Sequence, residues 1–208
     1  MNRLLKPLKK LPNLLRDLRM SLDKNKFSSV NMYFQDESRF GLMTHVGTCL
    51  TAKGVKPIVT YQHAFKSTYL YGSFSPINGD AFIMEIDGVD TKVFEAYLHE
   101  FSKQKHEELK ILIIDNAGFH STKNISIPEN IILVNIPPYS PELNPAEKIW
   151  QYLKNRFKNQ LFGNMENLKN WLYKEIIENL SPERIRSITN DKFYCDAFLA
   201  HFNPHCSY

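Results

Sequence analysis

The chain has 208 residues, room for one full domain with an arm or two small domains at roughly 100–200 residues each. Hydrophobic residues make up 43% and aromatic residues 12%, enough apolar surface for a real core, which excludes wholesale disorder. No apolar run approaches the roughly 18–20 residues of a membrane span, the start lacks the apolar stretch of a secretory signal, and three scattered cysteines without a CxxC pair exclude a disulfide framework.

The net charge of +4 is unevenly placed. Residues 1–30 hold eight Lys and Arg against Asp17 and Asp23, a local charge of +6, and the rest of the chain carries −2. Such a leading segment suits a polyanionic partner, and it equally suits a solvated amphipathic helix. Leu4, Leu5, Leu8, Leu11, Leu14, Leu15, Leu18 and Leu22 recur at helical steps, with Pro7 and Pro12 expected to interrupt the stripe.

After this arm, Val30 to Gln35 reads as a strand running into Asp36. A polar stretch with Gly41, Gly47, Gly54 and Pro57 follows as a hairpin-like excursion that ends in β-prone Ile58-Val59-Thr60-Tyr61. Ser67 to Phe74 and Ala81 to Ile86 predict two strands joined by the turn formers Ser75 to Asp80. Val93, Phe94, Tyr97, Leu98 and Phe101 lie at helical spacing within Thr91 to Lys105, with Asp90 or Thr91 available as a cap. Ile111 to Ile114 is an aliphatic run of the kind found in a strand covered on both faces, and it ends at Asp115. Ile131 to Val134 repeats the pattern. A helix should then start at Asn144 and Pro145 and pass Trp150, Leu153 and Phe157, with further helices over Met165 to Glu178 and Ser181 to Ile188. This order predicts a mixed α/β sheet, in which ligands sit beyond the carboxyl ends of the central strands.

Three acids occupy such positions. Asp36 and Asp115 follow predicted strands, and Glu147 falls in the first turn of the helix that begins after Pro137, Pro138, Pro141 and Pro145. Prolines fix φ, so this leader holds the helix start stiffly against the sheet. Each acid alone also suits a turn or a helix start. Grouped, they would repel one another unless a cation lay between them, and carboxylate oxygens suit Mg²⁺ or Mn²⁺. Two such ions about 3.5–4 Å apart support phosphodiester cleavage.

The blocks Phe34-Gln35-Asp36-Glu37-Ser38-Arg39-Phe40-Gly41, Ile113-Ile114-Asp115-Asn116-Ala117-Gly118-Phe119-His120 and Pro137-Pro138-Tyr139-Ser140-Pro141-Glu142-Leu143-Asn144-Pro145-Ala146-Glu147-Lys148-Ile149-Trp150 resemble the signature blocks of the DDE transposases. More narrowly they resemble the mariner superfamily and its bacterial insertion-sequence-630 branch. The resemblance implies a ribonuclease-H-like fold, with residues 1–29 a basic arm or linker remnant, 30–190 the catalytic domain and 191–208 a C-terminal tail. It also implies that Asp36, Asp115 and Glu147 are both the catalytic acids and the ligands of two Mg²⁺ or Mn²⁺ ions. The implied reaction is metal-dependent nicking at transposon ends, followed by attack of the freed 3′-hydroxyl on target DNA in the bacterial cytoplasm or nucleoid.

The implied partners are transposon-end and target DNA, a second copy of the chain in the active complex, and an upstream helix-turn-helix polypeptide, because relatives carry paired recognition modules ahead of this domain. Candidate DNA contacts are Arg39, His120, Lys148, Lys154, Arg156 and Lys158. His120 also suits a cap, and Arg39 can balance Glu37. The alternative is a catalytically silent DNA-binding or partner-binding remnant. No GxSxG elbow supports a serine hydrolase and no glycine motif cradles a nucleotide. Cys195, His201, His205 and Cys206 fit no common structural zinc spacing.

Overall fold

A thirteen-residue strand, β1 (Ser29–Gly41), organises the fold. Its side chains alternate between two apolar clusters: Met32, Phe34 and Phe40 enter one and Tyr33 the other, as the two-residue period of a strand requires. The computed structural model describes residues 11–22, 26–45, 47, 48, 50–56, 58, 60–115, 125–137 and 141–202. On one side of β1, the strands β2 (Ser67–Phe74) and β3 (Ala81–Ile86) add antiparallel; on the other, β4 (Glu108–Ile114) and β5 (Ile131–Asn135) add parallel. The resulting order β3-β2-β1-β4-β5 is the mixed sheet expected of a ribonuclease-H-like fold.

Among the described residues, one face of the sheet is covered by a single helix, α2 (Thr91–Lys103). The Asp90 carboxylate accepts from the Val93 N–H at 2.8 Å and starts it. Phe94, Tyr97, Leu98 and Phe101 then bury themselves against Tyr33, Tyr71, Leu112 and Ile114. On the other face lie α1 (Leu11–Ser21), α3 (Ala146–Phe157), α4 (Met165–Asn179), α5 (Pro182–Thr189) and α6 (Lys192–Leu199). All five contribute to the larger cluster around Met32, Phe34, Ile111 and Ile113. β4 is buried along its whole length, as its uninterrupted aliphatic run predicts. Among the described residues no helix is long and apolar enough to cross a membrane.

The hairpin between β2 and β3 turns at Gly79, whose φ is +80° and whose position would place a Cβ 2.1 Å from the Pro182 carbonyl oxygen. Only glycine accommodates both. The same contact seats the start of α5 against the turn.

Several elements differ from the sequence expectation. Pro12 is the second residue of α1 and does not break it, because a first-turn proline lacks only a donor that a helix leaves unpaired; Pro7 lies outside the described residues. Leu11 and Leu15 are buried in the main cluster together with Tyr194 and Phe198 of α6, so parts of the segments expected as arm and tail pack on the domain. Ile58 and Tyr61 are exposed and outside any strand, since β-branched and aromatic residues form a strand only where a sheet offers them a partner. At its base the excursion stays paired, with Leu42 N–H donating to the Lys66 carbonyl and Thr44 N–H to that of Gln62. Finally, β1 continues through Asp36 to Gly41 instead of ending at Gln35. Its parallel pairing with β4 stops at Phe34 and Ile113, while its antiparallel pairing with β2 runs on to Gly41. Asp36 therefore lies mid-strand, just past the point where β4 leaves it.

Candidate active site

Asp36 pairs with Gly72 of β2 and belongs to the set of alternate residues, Phe34, Asp36 and Ser38, that faces α3. Asp115 follows the last residue of β4, and Glu147 is the second residue of α3. Three separate elements thus carry the three acids toward one end of the sheet, in the crevice that opens where a central strand loses its neighbour.

The start of α3 is held by Asn144. Its Nδ2 donates to the Gln35 carbonyl at 2.8 Å, its Oδ1 accepts from the Ala146 N–H at 3.1 Å, and its own carbonyl accepts from the Glu147 N–H at 3.2 Å. The helix begins at Ala146 with Pro145 as its N-cap, which makes no side-chain cap bond, instead of with Asn144 as cap and Pro145 as first residue; Asn144, one residue earlier, supplies the bond to the Ala146 N–H. One turn along, Trp150 packs edge-on against Phe74, with ring centroids 5.3 Å apart. It is buried with Ile149, Leu153 and Phe157, which fixes the face of α3 that carries Glu147 over β1 and β2.

Electrostatics tie the acids together. Burial, then Glu37, Glu147 and Asp115, push the Asp36 carboxyl up to about 8. Glu147 is raised too, by partial burial and by Asp115 and Glu142, while Lys154 pulls it down. The three carboxylates are thus within electrostatic reach of one another. Among the described residues, no three His, Cys, Asp or Glu side chains are gathered closely enough to grip an ion. In chemistry the donor set still fits a hard divalent cation: the oxygens are all carboxylate, and each negative charge raises the proton affinity of its neighbour, a cost that a shared cation removes.

Beside Asp36 and Glu147 opens a cavity of about 750 Å³, whose lining includes Glu37, His45, Lys148, Lys154 and Lys158. Its far wall is tied to the end of α3 by Asn159, which adopts a left-handed φ of +62°, a conformation asparagine tolerates. Asn159 donates its N–H to the His45 carbonyl at 2.9 Å and accepts from the Gly47 N–H at 2.9 Å.

Of the cationic candidates, Lys148, Lys154 and Lys158 line the cavity. Arg156 does not: it forms a bidentate pair with Glu175 of α4 and lies over the Tyr152 ring, 5.9 Å from the centroid. Being two residues from Lys154 places it on another side of the helix. Arg39 is exposed and donates to the Ser67 hydroxyl at 2.9 Å, also apart from the cavity lining. His120 lies outside the described residues, as do His205 and Cys206. The sequence reading missed His45, Gln35 and Tyr194, whose Oη donates to the Leu143 carbonyl at 2.9 Å. No local pattern marks them, because each acts through a partner distant in the chain.

Comparison with known proteins adds four likenesses. The family described as DDE superfamily endonuclease matches residues 31–169. A protein of Sinorhizobium fredii (strain NBRC 101917 / NGR234), named Uncharacterized protein y4pE/y4sA, is 32% identical over 102 residues, covering 48% of this chain and 76% of its own length. Among solved structures, the Mos1 strand transfer complex superposes with a TM-score of 0.62 at 14% identity over 97% of this chain and 62% of that one. The Mos1 mariner paired end complex with Mn does so with a TM-score of 0.61 at 15% identity over 98% and 64%. At such identity the likeness is one of fold, and this chain spans less than two thirds of those chains, 62% and 64%.

Proposed function

This chain belongs to the DDE superfamily endonucleases, and from that membership we propose that it is the catalytic domain of a mariner-type DNA transposase. In this reading it cuts phosphodiester bonds at transposon ends and joins the freed 3′-hydroxyl to target DNA. The observation that carries the proposal is the placement of three acids at one end of the sheet, Asp36 of β1 and Glu147 of α3 lining one cavity and Asp115 directly following β4. The insertion-sequence-630 branch is part of the same proposal and rests on the blocks around Asp36, Asp115 and Glu147.

The chain's own residues have distinct tasks. Asp36, Asp115 and Glu147 would hold divalent metal, Mg²⁺ or Mn²⁺, as the Mn of the Mos1 paired end complex suggests by likeness. When bound, two such ions supply activation of an attacking water or 3′-hydroxyl and stabilisation of the leaving oxygen. Lys148, Lys154 and Lys158 along the cavity provide positive charge for the phosphates that flank the scissile one. Glu147 is rigidly placed because its amide, the preceding helix start and the Gln35 carbonyl are all tied to Asn144. Trp150 lines the cavity and packs edge-on on Phe74, which gives the crevice an apolar side.

Action on two ends by two copies of the chain belongs to the proposal, supported by the paired-end assembly named for the Mos1 structure. So does end recognition by helix-turn-helix modules, whether in the same polypeptide or in another. The test is cleavage of duplex DNA carrying the cognate ends with Mg²⁺ or Mn²⁺ present. Asp115→Asn is expected to abolish nicking while the circular dichroism spectrum stays unchanged. Undiminished nicking by that variant would remove Asp115 from the mechanism.

A further inference from the structure

Building on the catalytic reading above, we infer that Asn144 and Tyr194 are positioning residues that set the Glu147 carboxylate at its working distance from Asp36. Asn144 is 4% exposed, and all its hydrogen-bonding groups named above are used inside the site. Its Nδ2 bonds the carbonyl of Gln35, the residue joined directly to Asp36, while its backbone carbonyl receives the N–H of Glu147 itself. One side chain therefore spans from the peptide carrying the first acid to the helix start carrying the third. A simple helix cap requires only the Oδ1 bond to Ala146. The bond to Gln35 is surplus to capping and links α3 to β1.

Tyr194 makes the same connection from α6. It is 2% exposed, and its hydroxyl donates to the carbonyl of Leu143, the residue before Asn144, at 2.9 Å. Its ring stands edge-on to Phe34 of β1, with centroids 4.6 Å apart and planes at 76°. Phe34 lies two residues before Asp36. The proline-rich leader is therefore bracketed, by Asn144 on β1 and by Tyr194 between Phe34 and Leu143. Tyr194 lies beyond residues 31–169 that match the family, so the site extends its support into the C-terminal helix. Groups that orient metal-binding carboxylates typically change metal affinity or activity by roughly 10–100-fold when removed.

Two variants separate positioning from folding. Asn144→Ser keeps a good helix cap but is too short to reach Gln35, and Tyr194→Phe removes one oxygen while keeping the ring on Phe34. Mn²⁺ binding is measured by calorimetry on the whole chain for wild type, Asp115→Asn and both variants, alongside thermal melts and DNA affinity. The expected result is that both variants fold and bind the DNA duplex as wild type does, bind Mn²⁺ roughly 10-fold more weakly, and recover nicking as Mn²⁺ is raised. Unchanged Mn²⁺ affinity in both variants, with binding lost in Asp115→Asn, overturns the positioning role and leaves the catalytic reading standing. Mn²⁺ binding that Asp115→Asn does not weaken overturns the catalytic reading instead, and the inference with it. Should Asn144→Ser fail to fold, Tyr194→Phe decides alone.

Discussion

Gly72 lies against the edge of the Trp150 indole so closely that a Cβ at this position would come within 2.8 Å of Trp150 Cη2 and 2.6 Å of the Phe74 ring. Gly72 also pairs with Asp36 across the β1–β2 ladder, so the missing side chain is what lets α3 lie flat beside the first acid. Gly72→Ala is expected to force Trp150 and Phe74 apart, at a cost of about 1–3 kcal/mol typical of overpacking. Nicking should fall further than stability, because the displaced helix carries Glu147. A thermal melt with a parallel cleavage assay checks both, and a variant with wild-type melting and cleavage would show that the rings have room to yield.

The Asp36 carboxyl offers a pH signature. Its proton affinity rises from the ordinary aspartate range of about 3.9 in the unfolded chain to about 8 in the fold, chiefly through burial and then through Glu37, Glu147 and Asp115. A raised carboxylate favours the folded state below the unfolded value and loses that contribution as pH climbs toward 8. Metal-free protein should therefore lose stability between pH 4 and pH 8 from this group. Asp36→Asn should flatten the loss, melting above wild type at pH 8 by on the order of 2–4 °C per kcal/mol recovered and differing little at pH 4. Mn²⁺ should reverse the ordering at pH 8, since only the native carboxylate binds it. Melts with and without chelator across this range are the measurement.

How far the sequence carries the site depends on whether a residue acts locally. The blocks around Asp36, Asp115 and Glu147 were legible because turn chemistry, proline stiffness and strand-length aliphatic runs are short-range signals. That Asp36 sits inside β1 was not legible, because the strand's second half is held by β2 alone and its residues from Glu37 to Arg39 are polar. No local pattern marks Tyr194, because its partners Leu143 and Phe34 are far away in sequence. Arg156 pairs with Glu175 of α4, a partner set by tertiary packing that no local sequence pattern shows. Ile58 has strand propensity but lies exposed, outside any strand among the described residues.

The cationic side of the cavity predicts a salt dependence. If Lys154 and Lys158 contact phosphates, Lys154→Ala and Lys158→Ala should each weaken duplex binding about equally for all sequences and lower the slope of log affinity against log salt by about 1. Arg156→Ala is the internal control. Its guanidinium is paired with Glu175 away from the cavity, so its loss should leave that slope unchanged. Fluorescence anisotropy of a labelled duplex between low and moderate salt distinguishes the two, and an equal effect of Arg156→Ala would show that a second face of α3 meets DNA.

On the opposite face of β1 from Asp36, Tyr33 donates its hydroxyl to the Glu108 carboxylate at 2.7 Å, with Tyr33 1% and Glu108 5% exposed. Burial raises Glu108 above the usual carboxylate range, while the Tyr33 bond and the nearby Lys110 and Lys105 pull it back. Tyr33→Phe removes the donor and leaves a buried carboxylate less well satisfied, a loss of about 1.5–3 kcal/mol for a hydrogen bond to a charged group. The sign of its pH dependence follows: without Tyr33 the Glu108 carboxyl rises further, so the destabilisation is small in acid, where Glu108 is protonated, and grows as pH rises and the charge forms. Cleavage at a temperature below the melt should be unaffected, because Tyr33 packs on the α2 face of the sheet, away from the face that carries Asp36 and α3. Denaturant unfolding of Tyr33→Phe at acidic and neutral pH tests this; a penalty that stays the same from acid to neutrality would mean that Glu108 remains protonated in the fold.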